Sequence, residues 1–250
     1  MSLKIRSFKL ILFVSFQLVK IHATESTNED LKVRFRESEP PQLTTLYTNH
    51  QMAGKGQMGA KWLSEPRKNL TFSILISDLL DGLTDFEINK WVAVTVVEWL
   101  RQKLQIQAVI KWPNDILSVN HKLGGILIEN ILQNGKRQAT IIGIGLNINQ
   151  TDFQELPKAI SLKQITGKSW DLEGLLIDFM TFLENSIQSP QESIDRYESL
   201  LFKLGRKTTF QCQNEVFEAL VQGVTPDGKL RLSVKGTEKT YGLKEVFWIY

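Results

Sequence analysis

The 250-residue sequence predicts an α+β protein: a mixed, largely antiparallel sheet flanked by helices, followed by a small C-terminal β-barrel. Three observations lead there. Strand-like segments between residues 108 and 149 are joined by connections too short for parallel crossovers, which need a dozen residues or more. A long helical pattern precedes them. Beyond Gly205 only short strand patterns remain. The expected division is a larger unit over 1–203 and a smaller one over 204–250, consistent with about 100 to 200 residues per domain.

The elements can be justified in chain order. Lys4, Arg6 and Lys9 precede the apolar run LILFVSFQLV (10–19), a pattern similar to the basic and hydrophobic regions of a secretory signal and too short to span a bilayer. Ile11, Phe13, Val14, Phe16 and Val19 equally suit a first strand buried on both faces, which we expect; a start codon placed too far upstream is a third account of the first residues. In HATESTNEDL (22–31), Ser26, Thr27 and Asn28 read as a helix start, with Glu29 and Asp30 in the first turn. RESEPPQ (36–42) is a polar connector, and LTTLYTNHQMA (43–53) is a strand running into GKGQMG (54–59). LTFSILIS (70–77) has the β-branched, apolar makeup of a buried strand.

From 85 to 104, Ile88, Trp91, Val92, Thr95, Trp99 and Leu104 share one broad face, so a deeply packed helix is expected. AVIKW (108–112), ILSV (116–119), LGGILIENIL (123–132) and RQATIIGIGLNIN (137–149) then form a meander turning at PND, NHK and QNGK, the last with a hairpin-type Asn-Gly pair. Helices are expected over 171–188 and, after Pro190, over 191–202. TTFQCQ, EVFEALVQGVT, KLRLSV and YGLKEVFWIY make up the barrel, with PDG (226–228) and KGT as turns.

Hydrophobic residues are 42% and charged residues 23% of the chain, enough for a sizeable core and too apolar for general disorder. A net charge of +3 is too small to mark a nucleic-acid binder. Cys212, the single cysteine, excludes an internal disulfide framework and a cysteine-rich zinc site, and makes a reducing cytoplasm the simplest home. His22, His50 and His121 are scattered with no HExxH pair, so no dedicated metal site is expected.

The glycine loop admits several accounts. A dinucleotide site needs the third glycine to open a helix, yet Pro66 interrupts the following turns and a strand comes next. A kinase lid suits a strand-loop-strand setting, but neither HRD nor DFG occurs. A tight turn whose glycines permit positive φ would suffice alone. The decision rests on KWPNDIL (111–117) and KLGGILIEN (122–130). These resemble the central signature of biotin protein ligases. Ser26-Thr27-Asn28, GKGQMGAKW (54–62) and GIGLN (143–147) resemble that family's remaining motifs, in family order, so the resemblance spans nearly the whole chain from about residue 20.

The resemblance implies a class II synthetase-like catalytic fold with an SH3-like C-terminal barrel. It also implies ATP-dependent activation of biotin to biotinoyl-5'-AMP, followed by transfer to a lysine of a biotin carboxyl carrier domain in a biotin-dependent carboxylase. Lys122, Asp115 and Lys111 are implied as catalytic: Lys122 between the biotin carboxylate and the phosphate, Asp115 near the incoming lysine, and Lys111 at the nucleotide phosphates. Ser26, Thr27, Asn28, Gln51, Gly54, Lys55, Gly56, Lys122 and Gly125 are implied at biotin. Lys55, Gln57, Gly59, Trp62, Lys111, Asn114 and Asn147 are implied at ATP, with Mg2+ accompanying the phosphates.

Two departures matter. Family loops commonly carry arginine where this chain has Lys55 and Gln57, replacing a bidentate fork by a point charge and a neutral amide, so the intermediate is expected to escape faster. About 25 residues precede Ser26, too few for the DNA-binding domain of bifunctional members, so a ligase without repressor activity or nucleic-acid partner is expected, off the membrane, as monomer or homodimer. Rival readings are a lipoate or octanoate ligase of the same superfamily and a non-catalytic biotin-binding module.

Overall fold

The computed structural model describes residues 15–154 and 156–249. Lys4, Arg6, Lys9 and the start of the run at 10–19, including Ile11, Phe13 and Val14, lie outside the described residues. The first strand found, β1 (Gln17–Ile21), takes the end of that run and continues beyond it, but it lies at the sheet edge with no buried position, so the burial on both faces expected of it is not found there.

Helix α1 (Thr27–Ser38) crosses over to β2 (Thr44–Thr48), which pairs with β1 in parallel. The short strands β3 (Gly54–Lys55) and β4 (Lys61–Trp62) carry the glycine loop between them as an antiparallel ribbon. β5 (Leu70–Ile76) is buried at every position, as its unbroken apolar and β-branched character requires. α2 (Asp85–Leu104) follows, started by a capping box between Thr84 and Glu87 and stopped by Gln105 in the left-handed conformation. β6 (Val109–Lys111), β7 (Asp115–Ser118), β8 (His121–Gln133) and β9 (Lys136–Leu146) are the expected meander. The result is one seven-stranded sheet, ordered β1-β2-β5-β9-β8-β7-β6, antiparallel except for β1 and β2.

Alternation along the strands sorts side chains to two faces. Phe72, Ile74, Ile142 and Ile144 join the main core with Trp91, Trp99, Phe179 and Met180 of the helical layer. Leu46, Leu75, Ala139 and Ile141 face the other way and pack under Leu31 of α1. α1 covers only part of that second face, and the rest is left open for a site.

Beyond the sheet come α3 (Leu162–Thr166), α4 (Leu172–Ser186) and α5 (Pro190–Arg196). α3 had no sequence expectation; it is five residues long, held by a capping box between Ser161 and Gln164. The helix expected over 191–202 stops early. Residues 198–200 form a 3-10 turn, and the Phe202 amide donates 2.7 Å to Ile110 O, so a tertiary hydrogen bond draws the chain out of the helix.

The C-terminal region holds β10 (Lys207–Cys212), β11 (Glu215–Val224), β12 (Leu230–Val234), β13 (Thr237–Tyr241) and β14 (Phe247–Ile249). They form an antiparallel five-stranded sheet ordered β13-β12-β11-β10-β14; among the described residues the outer strands β13 and β14 do not pair, so no closed barrel is found. The run YGLKEVFWIY is divided: Tyr241 closes β13, and Gly242 and Glu245 lie in a turn before β14. This sheet is tied to the larger one where Trp112 Nε1 donates 2.9 Å to Gly228 O. Among the described residues no helix is long and apolar enough to cross a membrane.

Candidate active site

The register of the large sheet assembles a row of residues from distant parts of the chain. Lys111 pairs with Asp115, Asp115 with Gly125, Gly125 with Gly145, and Gly145 with Thr71. Paired residues share a face, so this row becomes the floor of a cavity of about 360 Å3, which all five line. Lys122 joins them through a bulge. Lys122 and Gly125 are three residues apart and would fall on opposite faces of a regular strand; an extra residue at Leu123 resets the alternation. Lys122 Nζ accordingly reaches Asp115 Oδ1 at 2.6 Å, while Lys111 Nζ lies 3.1 Å from Oδ2. One carboxylate thus sits between two ammonium groups at the start of the KWPND hairpin.

The glycines of β9 leave room for neighbouring side chains. A Cβ on Gly145 would collide with the Trp62 indole, and one on Gly143 with the Asn28 amide. Trp62 therefore lies against the sheet, with Lys122 Nζ 5.8 Å from its ring centre and its own Nε1 buried with no hydrogen-bond partner among the described residues.

The polar end of the cavity is the N-terminus of α1. The helix starts where the sequence places it, with Ser26 at the cap position and Glu29 and Asp30 in the first turn, but among the described residues the Ser26 side chain makes no capping hydrogen bond. Instead the Thr27 amide donates 2.9 Å to Gln51 Oε1, and Thr27 Oγ1 lies 3.2 Å from the same oxygen. Ser26, Thr27, Asn28 and Gln51 are all buried, and all line the cavity.

The glycine loop forms one side. It holds only a 3-10 turn at Gln57–Gly59 and leads into β4 and not an α-helix, so the dinucleotide geometry is not found. Gly54 is crowded by Gln51 and the Trp62 backbone, Gly56 is extended, and Gly59 has φ of 80°, next to Met58 at 56°. Lys55 Nζ pairs at 2.9 Å with Glu29 Oε1 on α1. Their shifts agree in direction. The hydrogen bond to Glu29 raises Lys55 above its ordinary 10.5, and the bond from Lys55, with help from Lys32, holds Glu29 below 4.5.

Of the sequence-predicted residues, Ser26, Thr27, Asn28, Gln51, Lys55, Gly56, Gln57, Trp62, Lys111, Asn114, Asp115, Lys122 and Gly125 line this one cavity. Gly54, Gly59 and Asn147 are not among its lining residues. Asn147 stands behind the wall, where its amide nitrogen donates 3.3 Å to Lys122 O and its backbone N–H 2.8 Å to Leu123 O. Asn114 has a similar clamping contact, its side chain donating 2.7 Å to Ile126 O.

Sequence reasoning missed Thr71 and Lys61, and also Leu243, Lys244, Val246, Phe247 and Trp248, through which the C-terminal sheet closes one wall. Lys244 Nζ donates 3.0 Å to Met58 O and so touches the glycine loop. No local pattern marks these positions. Cross-strand pairing, Lys55 with Lys61 and Thr71 with Gly145, was the signal that an explicit register would have given.

Five lysines (Lys55, Lys61, Lys111, Lys122, Lys244) and a single carboxylate, Asp115, are among the lining side chains. Such a balance favours polyanionic ligands. Among the described residues no group of three or more His, Cys, Asp or Glu could hold a metal ion.

The family model described as the biotin/lipoate A/B protein ligase family matches residues 21–147. The bifunctional ligase/repressor BirA of Bacillus subtilis is 27% identical over 237 residues, covering 90% of this chain and 71% of that protein. The biotin–[acetyl-CoA-carboxylase] ligase of Mycobacterium tuberculosis is 24% identical over 235 residues, covering 88% and 84%. The solved structure of a biotin protein ligase from Aquifex aeolicus, in complex with biotin and ATP, superposes with a TM-score of 0.76 at 25% identity, covering 93% of this chain and 99% of that one.

Proposed function

The chain belongs to the biotin/lipoate A/B protein ligase family, and from that premise we propose that it activates biotin with ATP and transfers it to a lysine of a biotin carboxyl carrier domain, as in acetyl-CoA carboxylase. The observation that carries this reading is the Lys111–Asp115–Lys122 cluster on the floor of a lysine-rich cavity whose far end is buried and polar.

In the first step a biotin carboxylate oxygen bonds to the α-phosphorus of ATP, the bond to the β-phosphate oxygen breaks, and pyrophosphate leaves. Like charges must meet, so cations are needed where charge gathers. Lys122 is assigned to the carboxylate and α-phosphate together, and Lys111 and Lys55 to the phosphates, with Gln57, Gly59 and Asn147 supporting the nucleotide side and Trp62 packing on the adenylate. In the second step the carrier amine attacks the acyl carbon, an amide forms and AMP leaves. Asp115 is assigned to orient that amine and take its proton. Asp115 holds both lysines in place at 2.6 and 3.1 Å.

The residues present do not make a metal site of their own, since the one lining carboxylate is engaged by two lysines. Mg2+ is therefore assigned to the ATP phosphates as part of the substrate. We read 1–203 as the ligase unit and 204–250 as an SH3-like unit, and take the protein as cytoplasmic, off the membrane, monomeric or homodimeric, and without a nucleic-acid partner.

Exchange of labelled pyrophosphate into ATP, with biotin, lipoate, octanoate or no acid present, tests the reading. Exchange with biotin alone is expected. Exchange with lipoate or octanoate instead would move the chain to the sister activity, and none with any acid would favour a binding module.

A further inference from the structure

Behind the polar end of the cavity lies a hydrogen-bond network that the assigned reaction does not use. Glu129 on β8 divides its carboxylate: Oε2 accepts 2.7 Å from Asn28 Nδ2, and Oε1 accepts 2.7 Å from Lys32 Nζ. Ser73, fully buried on the interior strand β5, lies 2.5 Å from Asn28 Oδ1 and 2.6 Å from Thr27 Oγ1. From these contacts we infer that Ser73 and Glu129 are positioning residues that fix the donor and acceptor pattern offered to the ring of the acid substrate. The inference rests on reading that end of the cavity as the biotin-ring end.

Two hydrogen-bond partners facing Asn28 can be satisfied in only one amide orientation. A carboxylate accepts only, so the Asn28 NH2 must face Glu129 and its carbonyl oxygen must face Ser73. A carbonyl oxygen cannot donate, so the single Ser73 hydroxyl proton goes to Asn28. Thr27 then keeps its own proton for Ser73 Oγ or Gln51 Oε1, and retains acceptor capacity toward the cavity. Gln51 is fixed likewise, because its Oε1 accepts the Thr27 amide and its NH2 turns toward Gly54. The buried end thus presents a fixed pattern, with the Asn28 and Gln51 amides each held in one orientation and the Thr27 hydroxyl oxygen left to accept. A cyclic urea, with a carbonyl oxygen flanked by N–H groups, matches such a pattern; a dithiolane ring has no comparable groups, so the network selects the urea. Lys32 continues the chain of contacts through Glu29, at 3.2 Å, to Lys55 at 2.9 Å, and so joins the ring end to the glycine loop.

The test uses the full-length protein with Glu129→Gln and Ser73→Ala, measuring pyrophosphate exchange over ranges of biotin and of ATP, and with lipoate in place of biotin. A glutamine can donate as well as accept, so Asn28 is free to turn over. We expect KM for biotin to rise about tenfold in either variant. KM for ATP should stay within about twofold, exchange with lipoate should rise relative to biotin, and Glu129→Asp, still an acceptor only, should recover part of the loss. Unchanged KM for biotin, or equal increases in both KM values as from a general structural defect, would overturn the inference alone. Absence of biotin-dependent exchange in the unaltered protein would overturn the functional reading as well.

Discussion

Lys122 is held by Asp115 through a bulge that a single deletion within KLGG would erase, and its partner is shared with Lys111. Replacing Lys122 with Met leaves its alkyl volume and removes the charge that the proposed reaction assigns to the carboxylate and α-phosphate; we expect biotin-dependent pyrophosphate exchange to fall by about 100-fold or more. Asp115→Asn should divide the two half-reactions, with transfer from preformed adenylate to a carrier domain falling more than exchange. Equal losses in both would place Asp115 in general lysine positioning. Gln57→Arg restores a fork at the loop and should slow release of the adenylate, measured by chase with excess biotin; an unchanged off-rate would remove the explanation drawn from that departure. The residues that sequence alone made legible lie in contiguous stretches, KWPND, KLGG and the Ser-Thr-Asn start, where order in the chain is order in the site. Thr71, Ser73 and Lys244 are illegible for the opposite reason: each is an ordinary residue in its own segment and gains meaning from a partner 46 to 186 residues away.

At the level of elements, β5, α2 and the meander were legible because period and length agree with what each element buries. α3 was missed because five residues are too few to show a helical period, and α5 was overextended because its last turn is given up to a bond with β6. Thr84→Ala removes the capping box of α2 and should cost about 1 kcal/mol, read by denaturant unfolding, without changing KM for biotin. The ribbon that carries the glycine loop depends instead on charge. Glu29 has its carboxyl held below 4.5 in the folded chain, so the Lys55 tie contributes above the ordinary value and is lost as pH falls through the depressed one. Both side chains are substantially exposed, at 55% for Lys55 and 43% for Glu29, so added salt should loosen the ribbon at neutral pH too. Protease nicking of the loop should rise with salt, and Glu29→Gln should abolish that dependence.

The molecule as a whole is joined by one continuous core. Buried side chains of the C-terminal sheet, Phe210, Val221, Leu230 and Leu232 among them, belong to the same cluster as Trp91 and Phe179. Trp112 adds a directed tie, its indole donating to Gly228 O from within the KWPND turn. Trp112→Phe should cost about 1 kcal/mol in unfolding free energy and raise KM for ATP by moving the wall that touches Met58. The strand content of this region was legible, whereas closure was not: a run of short strands does not say whether the outer two meet, and here β13 and β14 do not. The same wall has a consequence in time. Residues 243–248 complete a cavity whose floor is set by residues 26–145. During synthesis on the ribosome, a nascent chain carries an open-sided trough until β14 emerges. Until that segment is in place, the floor and the polar end lack one of their walls and stand open to solvent on that side.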